Sequence, residues 1–472
     1  MLKGPFSSPQ NGSMSSWPLT VSLTASMEPF LTPTFLAHAF GSEMTRVPFP
    51  TSWTFLNFNL ALLDRGLGSF KQGFIRCPPR TGQRVEAMRR GTKLLIVSNF
   101  VVNVGWGLCW PYLNFRLYDI GAVYFQLSLM DSLAAITYLA SRLWGALSDY
   151  YGRRKPFMLV GFAGSVVPVA FMALYNRSVW ALLALYLVAS FSWGIAFPSL
   201  VAALTSDPER ERATTIFALV GSLGWALGAS LMGPAEGALG PPGLFALCSL
   251  MLAFFPLMLA FYKEEGLPKK EEALRSYIRG SLSFRFRAKK GFGLLLAGVF
   301  LSWFGLQWSG PPMRMKIYDV LGRSKTQVGV LMGVSSVMSA VALALGRKAI
   351  EKLGGLRTLL ASVASYAVII PVFGLVWSPL VLVVLWLTPI WPFFNLGYML
   401  SPAELSSEET RAEAVGCCEV VKNVGVLLGL FGGLVADAIG REEALLLSAL
   451  PLGLALLPIA ASYRSSRATE EP

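Results

Sequence analysis

Residues 111–119 read PYLNFRLYD, and residues 311–319 read PPMRMKIYD. Pro, a cation, Tyr and Asp recur at matching offsets: Pro111, Arg116, Tyr118 and Asp119 against Pro311, Lys316, Tyr318 and Asp319. Gly105 falls on Gly305 in the same register. Further along the register is one residue longer, and Arg210, Ala213, Gly224 and Gly228 fall on Arg411, Ala414, Gly425 and Gly429. A shift this constant at two separate landmarks points to a duplicated chain.

The material between the landmarks is apolar. The chain has 472 residues, of which 54% are hydrophobic and 14% charged, whereas a soluble domain carries about 25% charged residues. Runs of roughly 20 apolar residues, the length that crosses a hydrocarbon layer about 30 Å thick, recur with short polar breaks. They are centred on 94–114, 123–147, 156–175, 179–203, 214–238, 243–262, 291–312, 327–346, 357–376, 379–401, 413–436 and 443–463. A single buried core accounts for one or two such runs and not for this series. The expected fold class is an all-α polytopic membrane protein with twelve transmembrane helices in two six-helix bundles. An even number of spans per half makes the repeat parallel, a known plan of transporters.

The expected domain organisation follows. Residues 88–262 form the N-terminal six-helix bundle, 263–290 a cytoplasmic linker with nine Lys/Arg and four Glu, 291–465 the C-terminal bundle, and 466–472 a tail. Residues 1–87 differ, with nine prolines and no sustained period. They are expected to be a disordered or mis-annotated extension. Met88 opens a short basic lead before the first span and is the expected start. Residues 1–87 have no secretory signal pattern.

The formal net charge is +13. No basic stripe with interleaved aromatics accompanies it, so nucleic acid is not an expected partner. Topology accounts for the charge instead, because Lys and Arg accumulate in cytoplasmic loops. With the N-terminus inside, the inside segments carry 24 Lys/Arg and the outside loops 7, namely Arg116, Arg177, Arg314, Lys316, Arg323, Lys325 and Arg441. Both termini are therefore expected in the cytoplasm, with the chain in the plasma membrane. The five cysteines, Cys77, Cys109, Cys248, Cys417 and Cys418, match neither metal-site nor disulfide spacing and read as packing residues. The lone histidine, His38, precedes the first span. Any proton coupling would thus use carboxylates.

Gly221, Gly224 and Gly228 in the fifth span, and Gly425, Gly429 and Gly432 in the eleventh, recur every three or four residues. Such faces let helix backbones approach closely. They are expected to lie at the seam between the halves, where they permit rocking.

The loop after the second span reads Gly145-Ala-Leu-Ser-Asp149-Tyr-Tyr-Gly152-Arg153-Arg154-Lys155. It resembles the signature loop of the major facilitator superfamily in spacing and in position. A degraded copy, Glu351-x2-Gly354 and then Arg357, follows the eighth span. Arg212-Ala213 and Arg411-Ala412 resemble the Arg-Ala pairs after the family's fourth and tenth spans. The resemblance covers residues 88–465. It implies a cavity between two bundles that opens alternately to each side. It also implies that Asp149 braces a cytoplasmic gate against the start of the eleventh span, with Gly145 and Gly152 allowing close approach and a tight turn. Arg153 and Arg154 read either as parts of that gate or as topology anchors. Two positions depart from family patterns of proton-driven drug efflux: no Arg precedes Gly194 in the fourth span, and the fifth has no Gly-Pro pair before Gly233-Pro234.

Ionisable residues at membrane depth cost about 2.5–3.5 kcal/mol on insertion scales and mark function. Asp131, Glu419 and Lys422 stand near the middle of their spans. Glu419 and Lys422 share a helix face and can pair. The sharper expectation pairs Asp131 with Lys422 across the seam in one state. The resemblance makes spans one, four, seven and ten the cavity lining. Its candidate solute-binding residues are Asn103, Trp106, Trp193, Trp303, Gln307, Trp391 and Asn395. A Trp near a span end also suits an interfacial belt.

The expected function is secondary transport of a small, moderately amphipathic organic solute by alternating access, with efflux and nutrient uptake both open. A transporter-derived receptor that binds without flux is the competing class. A membrane enzyme would need a catalytic set that these spans do not carry. No cofactor or metal is expected, and coupling would be to protons or sodium. The expected partners are the solute and the lipid bilayer, with the chain a monomer.

Overall fold

The computed structural model describes residues 88–264, 269–282, 290–407 and 410–467. The readings on residues 1–87, including His38 and Cys77, fall outside the described residues. The first half contains α1 (Arg90–Asp119), α2 (Tyr124–Tyr151), α3 (Lys155–Leu174), α4 (Val179–Thr205) and α5 (Arg210–Leu259). A short helix, α6 (Leu274–Leu282), follows. The second half contains α7 (Phe292–Val320), α8 (Lys325–Leu353), α9 (Gly355–Leu375), α10 (Pro379–Leu387) and α11 (Ile390–Glu404). It ends with α12 (Arg411–Leu428), α13 (Phe431–Ile439), α14 (Arg441–Leu447) and α15 (Ala449–Arg467). Among the described residues there is no strand.

Among the described residues, ten helical stretches are long and apolar enough to cross a membrane. Two details connect this count with the twelve expected spans. The first is α5, which runs for 50 residues. At 1.5 Å per residue it would be about 75 Å long, far beyond one bilayer. Gly240 breaks it, with φ 66° and ψ 174°, and Pro241 and Pro242 follow. This positive φ is a conformation open to glycine, so α5 divides into two arms. The second is α2, which the apolar count omits because Ser128, Asp131, Ser132 and Arg142 interrupt its hydropathy.

Each half has its own core. One cluster draws on Leu95 through Leu259, and the other on Phe292 through Ile459 together with Ala135 of α2. The first cluster also takes in Met315, Tyr318, Val328 and Met332 from the second half. These four lie at the end of α7 and the start of α8, so the halves interlock most tightly there.

Two sequence expectations are corrected by the packing. The glycine faces do not form the seam between halves. Gly221 abuts Asn99 and Asn103, Gly224 the Phe100 carbonyl and Gly228 the Val104 carbonyl, all on α1. Gly425, Gly429 and Gly432 abut Phe300, Gln307 and Trp308 on α7. The duplicated glycines thus close the same intra-half contact twice, because the spacing identifies a smooth face without identifying its neighbour. Gly228→Leu should cost about 1–3 kcal/mol, the usual range for overpacking, seen as a lower midpoint in thermal unfolding of detergent-solubilised protein. The control is Gly237→Leu, since a Cβ at Gly237 meets nothing within 4 Å; its midpoint should stay in place.

The second correction concerns Arg116, Arg314 and Lys316, which were counted as loop charges. Both α1 and α7 continue through their prolines, to Asp119 and Val320. All three cations are therefore helical, and Lys316 is fully buried.

Candidate functional site

The duplicated stretch forms a seal at one end of the seam, the end expected to face outside. Its cations work within each half. Arg116 donates to the Asn176 carbonyl at 3.0 Å and to Asn176 Oδ1 at 3.1 Å, fastening the end of α1 to the loop after α3. Lys316 donates to the Gly374 carbonyl and lies 4.5 Å from the Trp377 ring centroid, fastening α7 to the end of α9 in the same way. The Tyr-Asp pairs work between halves. Tyr118 Oη donates to Asp319 Oδ2 at 2.9 Å, and Tyr318 Oη donates to Asp119 Oδ1 at 3.1 Å. Each half thus supplies a phenol to the other half's carboxylate. The fixed spacing of Tyr and Asp permits this exchange when two copies meet about a two-fold axis.

Further charges tighten the seal. Lys325 pairs with Asp119 and with Glu236, each at 2.8 Å, and Tyr112 donates to Glu236 at 3.0 Å. Arg441 and Arg323 both hold Asp319. Asp437 accepts the backbone N–H groups of Tyr124 and Phe125 at 2.7 and 2.8 Å, which places an anion of α13 on the first turn of α2. An anion there complements the helix dipole. Away from this end α5 and α8 pack closely, with Gly333 against Ser230 and Gly329 against the Ala229 carbonyl, and an open apolar groove of about 360 Å³ runs along their surface, lined by Leu227, Val334, Val337 and Met338 among others.

Deeper in the seam, Asp131 of α2 forms an ion pair with Arg314 of α7. Asp131 is 4% exposed. Gln307, two helical turns before Arg314, donates to the same carboxylate oxygen at 3.4 Å. The guanidinium lies 5.2 Å from the Trp110 ring centroid. Ser132 donates to the Val426 carbonyl at 3.1 Å and joins α2 to α12 beside the pair. Asp131 Oδ1 and Arg314 Nε are buried and have no hydrogen-bond partner among the described residues.

A second ion pair sits inside the second half. Lys422 Nζ donates to Glu419 at 2.5 Å, and Tyr398 Oη donates to the other carboxylate oxygen at 2.8 Å. The ammonium lies 5.3 Å from the Trp303 ring and 5.7 Å from the Tyr398 ring, at cation–π distance. In this state, then, Lys422 is bonded to its own helix and Asp131 to Arg314.

The remaining candidates divide into two groups. Trp106 meets Trp193 edge-on at 5.7 Å, and Trp303 meets Trp391 at 5.6 Å, so each half carries one indole pair. Gln307 reaches the Asp131 site. Asn103 instead donates to Asn99, which in turn donates to the Phe217 carbonyl, and this chain ties α1 to α5. Asn395 donates back to the Trp391 carbonyl and is 1% exposed. The reading of the sequence missed Arg314, Trp110 and Tyr398. One signal was available for Arg314: it stands seven residues after Gln307, on the same helix face.

At the opposite end, Gly152 ends α2 with φ 62°. Arg154 donates to the Ala202 carbonyl and to Ser206 Oγ at the end of α4, at 2.8 and 2.7 Å. Lys155 donates to the Tyr262 carbonyl at 2.8 Å, just past the end of α5. Glu264 accepts from the Arg154 and Lys155 backbone N–H groups at the start of α3. Cations thus cap helix C-termini and an anion caps an N-terminus. A Cβ at Gly145 would meet Pro198 at 3.2 Å. Arg153 and Asp149 are exposed, and the Asp149 carbonyl accepts from the Gly152 N–H at 3.3 Å. The linker lies on this loop: Lys270 N donates to the Tyr150 carbonyl at 3.0 Å, and Tyr277 of α6 packs 5.7 Å from the Tyr150 ring. Burial, and then the charge of Asp149, raise the Tyr277 phenol pKa.

Two duplicated helical bundles, meeting at a seam that is sealed at one end and charged in the middle, define a polytopic membrane protein of the transporter plan. The sequence pattern of the Major Facilitator Superfamily matches residues 95–397 and 295–472, and the chain belongs to that family. No curated protein sequence matches the chain. Among solved structures, the nucleoside transporter NupG superposes with a TM-score of 0.63 at 12% identity, covering 79% of this chain and 99% of its own. The human organic anion transporter MFSD10 gives 0.56 at 18% identity, covering 80% and 100%. A bacterial homolog of the human lysosomal transporter Spinster, inward-facing and unoccupied, gives 0.57 at 13%, covering 80% and 98%. At these identities the likeness concerns the fold.

Proposed function

We propose that this protein is a secondary active transporter that moves a small organic solute through the seam by alternating access, without bond chemistry. The observation that carries this reading is the reciprocal Tyr-Asp exchange. It joins the halves by reciprocal polar contacts at one end of the seam, and such contacts can be exchanged for water at modest cost. In the open state the halves part at this end and close around the signature loop. The Asp131–Arg314 pair spans the seam and must part with it, which makes it the coupling site for a proton or sodium ion. The Lys/Arg distribution supports cytoplasmic termini; in this reading the protein sits in the plasma membrane and acts as a monomer without a bound cofactor. Nucleosides and organic anions, named for two of the structural neighbours, are within the size range of solutes considered.

The test is flux in proteoliposomes loaded with a panel of nucleosides, amino acids, sugars and amphipathic drugs, with and without a pH or sodium gradient. Saturable uptake accelerated by a gradient is the expected result, and its direction separates nutrient uptake from efflux. Saturable binding with no flux under any gradient would instead identify a receptor.

A further inference from the structure

Two buried ion pairs, one in the seam and one in the second half, are each charge-balanced, while the buried Lys316 lies at the sealed end against the Gly374 carbonyl. Asp131 is matched by Arg314, and Glu419 by Lys422. A solute carrying one net charge would leave an uncompensated charge at membrane depth, which is costly. The two pairs differ in how fully they are satisfied. Glu419 has Lys422 on one oxygen and Tyr398 on the other. Asp131 receives both Arg314 and Gln307 on Oδ2, and its Oδ1 has no partner. Arg314 Nε has none either. A side chain more than nine-tenths buried thus keeps one idle acceptor, and the cation beside it keeps one idle donor, against the Trp110 ring. Buried polar atoms in native proteins are rarely left unpaired, and each calls for an explanation; of the thirteen such atoms among the described residues, these two belong to one ion pair that joins the halves.

We infer that the Asp131–Arg314 pair, in the transporter reading on which this rests, is a binding dyad for a net-neutral dipolar solute. An ammonium or N–H group of the solute is held at Asp131 Oδ1, and a carboxylate or carbonyl group at Arg314 Nε. The two protein groups come from opposite halves, α2 and α7. A zwitterion bridging them satisfies both without adding net charge. Because both atoms are shut in this state, loading requires the halves to part by the width of the solute. Binding is thereby tied to movement of the seam.

The experiment measures thermal stabilisation of the full purified chain by four probes of one shape. They are L-phenylalanine as zwitterion, N-acetyl-L-phenylalanine as anion, L-phenylalanine amide at pH 6 as cation, and N-acetyl-L-phenylalanine amide as the neutral form. A ligand stabilises as the logarithm of one plus its concentration over its dissociation constant. The zwitterion is expected to bind at least tenfold tighter than any single-charge form. The charge-neutral double variant Asp131→Asn/Arg314→Gln, which leaves no lone buried charge, should fold and lose that preference. Equal stabilisation by all four probes, a preference for the anion or cation, no stabilisation by the zwitterion, or a preference that survives in the double variant would overturn the inference. Label distances across the seal, measured on the same samples, separate this failure from failure of the transporter reading. If the seal opens and the dipolar preference is missing, only the inference falls. If the seal never opens, the transporter reading falls with it.

Discussion

Arg314→Gln is expected to be the most damaging single change at membrane depth. It leaves Asp131 buried with no opposite charge, and breaking one partner of a buried pair costs about 3–5 kcal/mol. Asp131→Asn leaves Arg314 in the same position and should cost a similar amount. The double variant Asp131→Asn/Arg314→Gln removes both charges; Asn keeps the shape of Asp, and Gln keeps a polar, if shorter, side chain in place of Arg. It should recover most of the stability, and the non-additivity measures the coupling between the two sites. Thermal midpoints of the four proteins in one detergent supply the cycle. Transport should separate from stability, because the double variant folds but cannot couple. Midpoints that simply add, or a double variant with full gradient-driven flux, would show that the pair is neither linked nor functional.

The second large effect belongs to the seal. Asp119 is held from the other half by Tyr318 and by Lys325. Asp119→Asn removes the ion pair and weakens the phenol hydrogen bond. A charge-assisted hydrogen bond is worth about 1.5–3 kcal/mol, and about 1.4 kcal/mol shifts a two-state population tenfold. The sealed state should lose at least that factor relative to the open one. Ser128 reports on the change. It is fully buried against the Gly433 region of α13, just outward of Asp131. A Ser128→Cys reporter should react with a maleimide about ten times faster when Asp119→Asn is also present. Asp149→Asn, at the opposite end, should not speed the reaction. Equal rates with and without Asp119→Asn would mean that the reciprocal contacts do not set the seal.

Much of the architecture was legible because duplication and bilayer length leave clear marks in a sequence. The paired stretches at Pro111–Asp119 and Pro311–Asp319 predicted two related halves, and they proved to be the place where the halves meet. Asp131, Glu419 and Lys422 stood out because charge is rare at that depth. Their partners were harder to read. Arg314 looked like a loop residue because the apolar run stops at Pro312, yet α7 continues to Val320, and a helix tolerates proline there when its freed carbonyls are otherwise satisfied. The glycine faces pointed to close contact without naming the neighbour, and the neighbour was the first or seventh span. Arg154 and Lys155 allowed two readings in sequence. Their bonds to the ends of α4 and α5 add a third role, as helix caps, which only the spatial arrangement of the helix ends could reveal.

In the proposed transport cycle the two halves pivot about the seam, opening the sealed end as the other closes. Spin labels at Arg177→Cys and Ser378→Cys, both in exposed positions beside the seal, would measure this directly in a background with the native cysteines replaced. Two distance populations are expected in liposomes, with the longer one enriched by Asp119→Asn. A second label pair beside the signature loop should shorten in step. A single short distance across the seal, unchanged by Asp119→Asn and by every ion gradient, would contradict it.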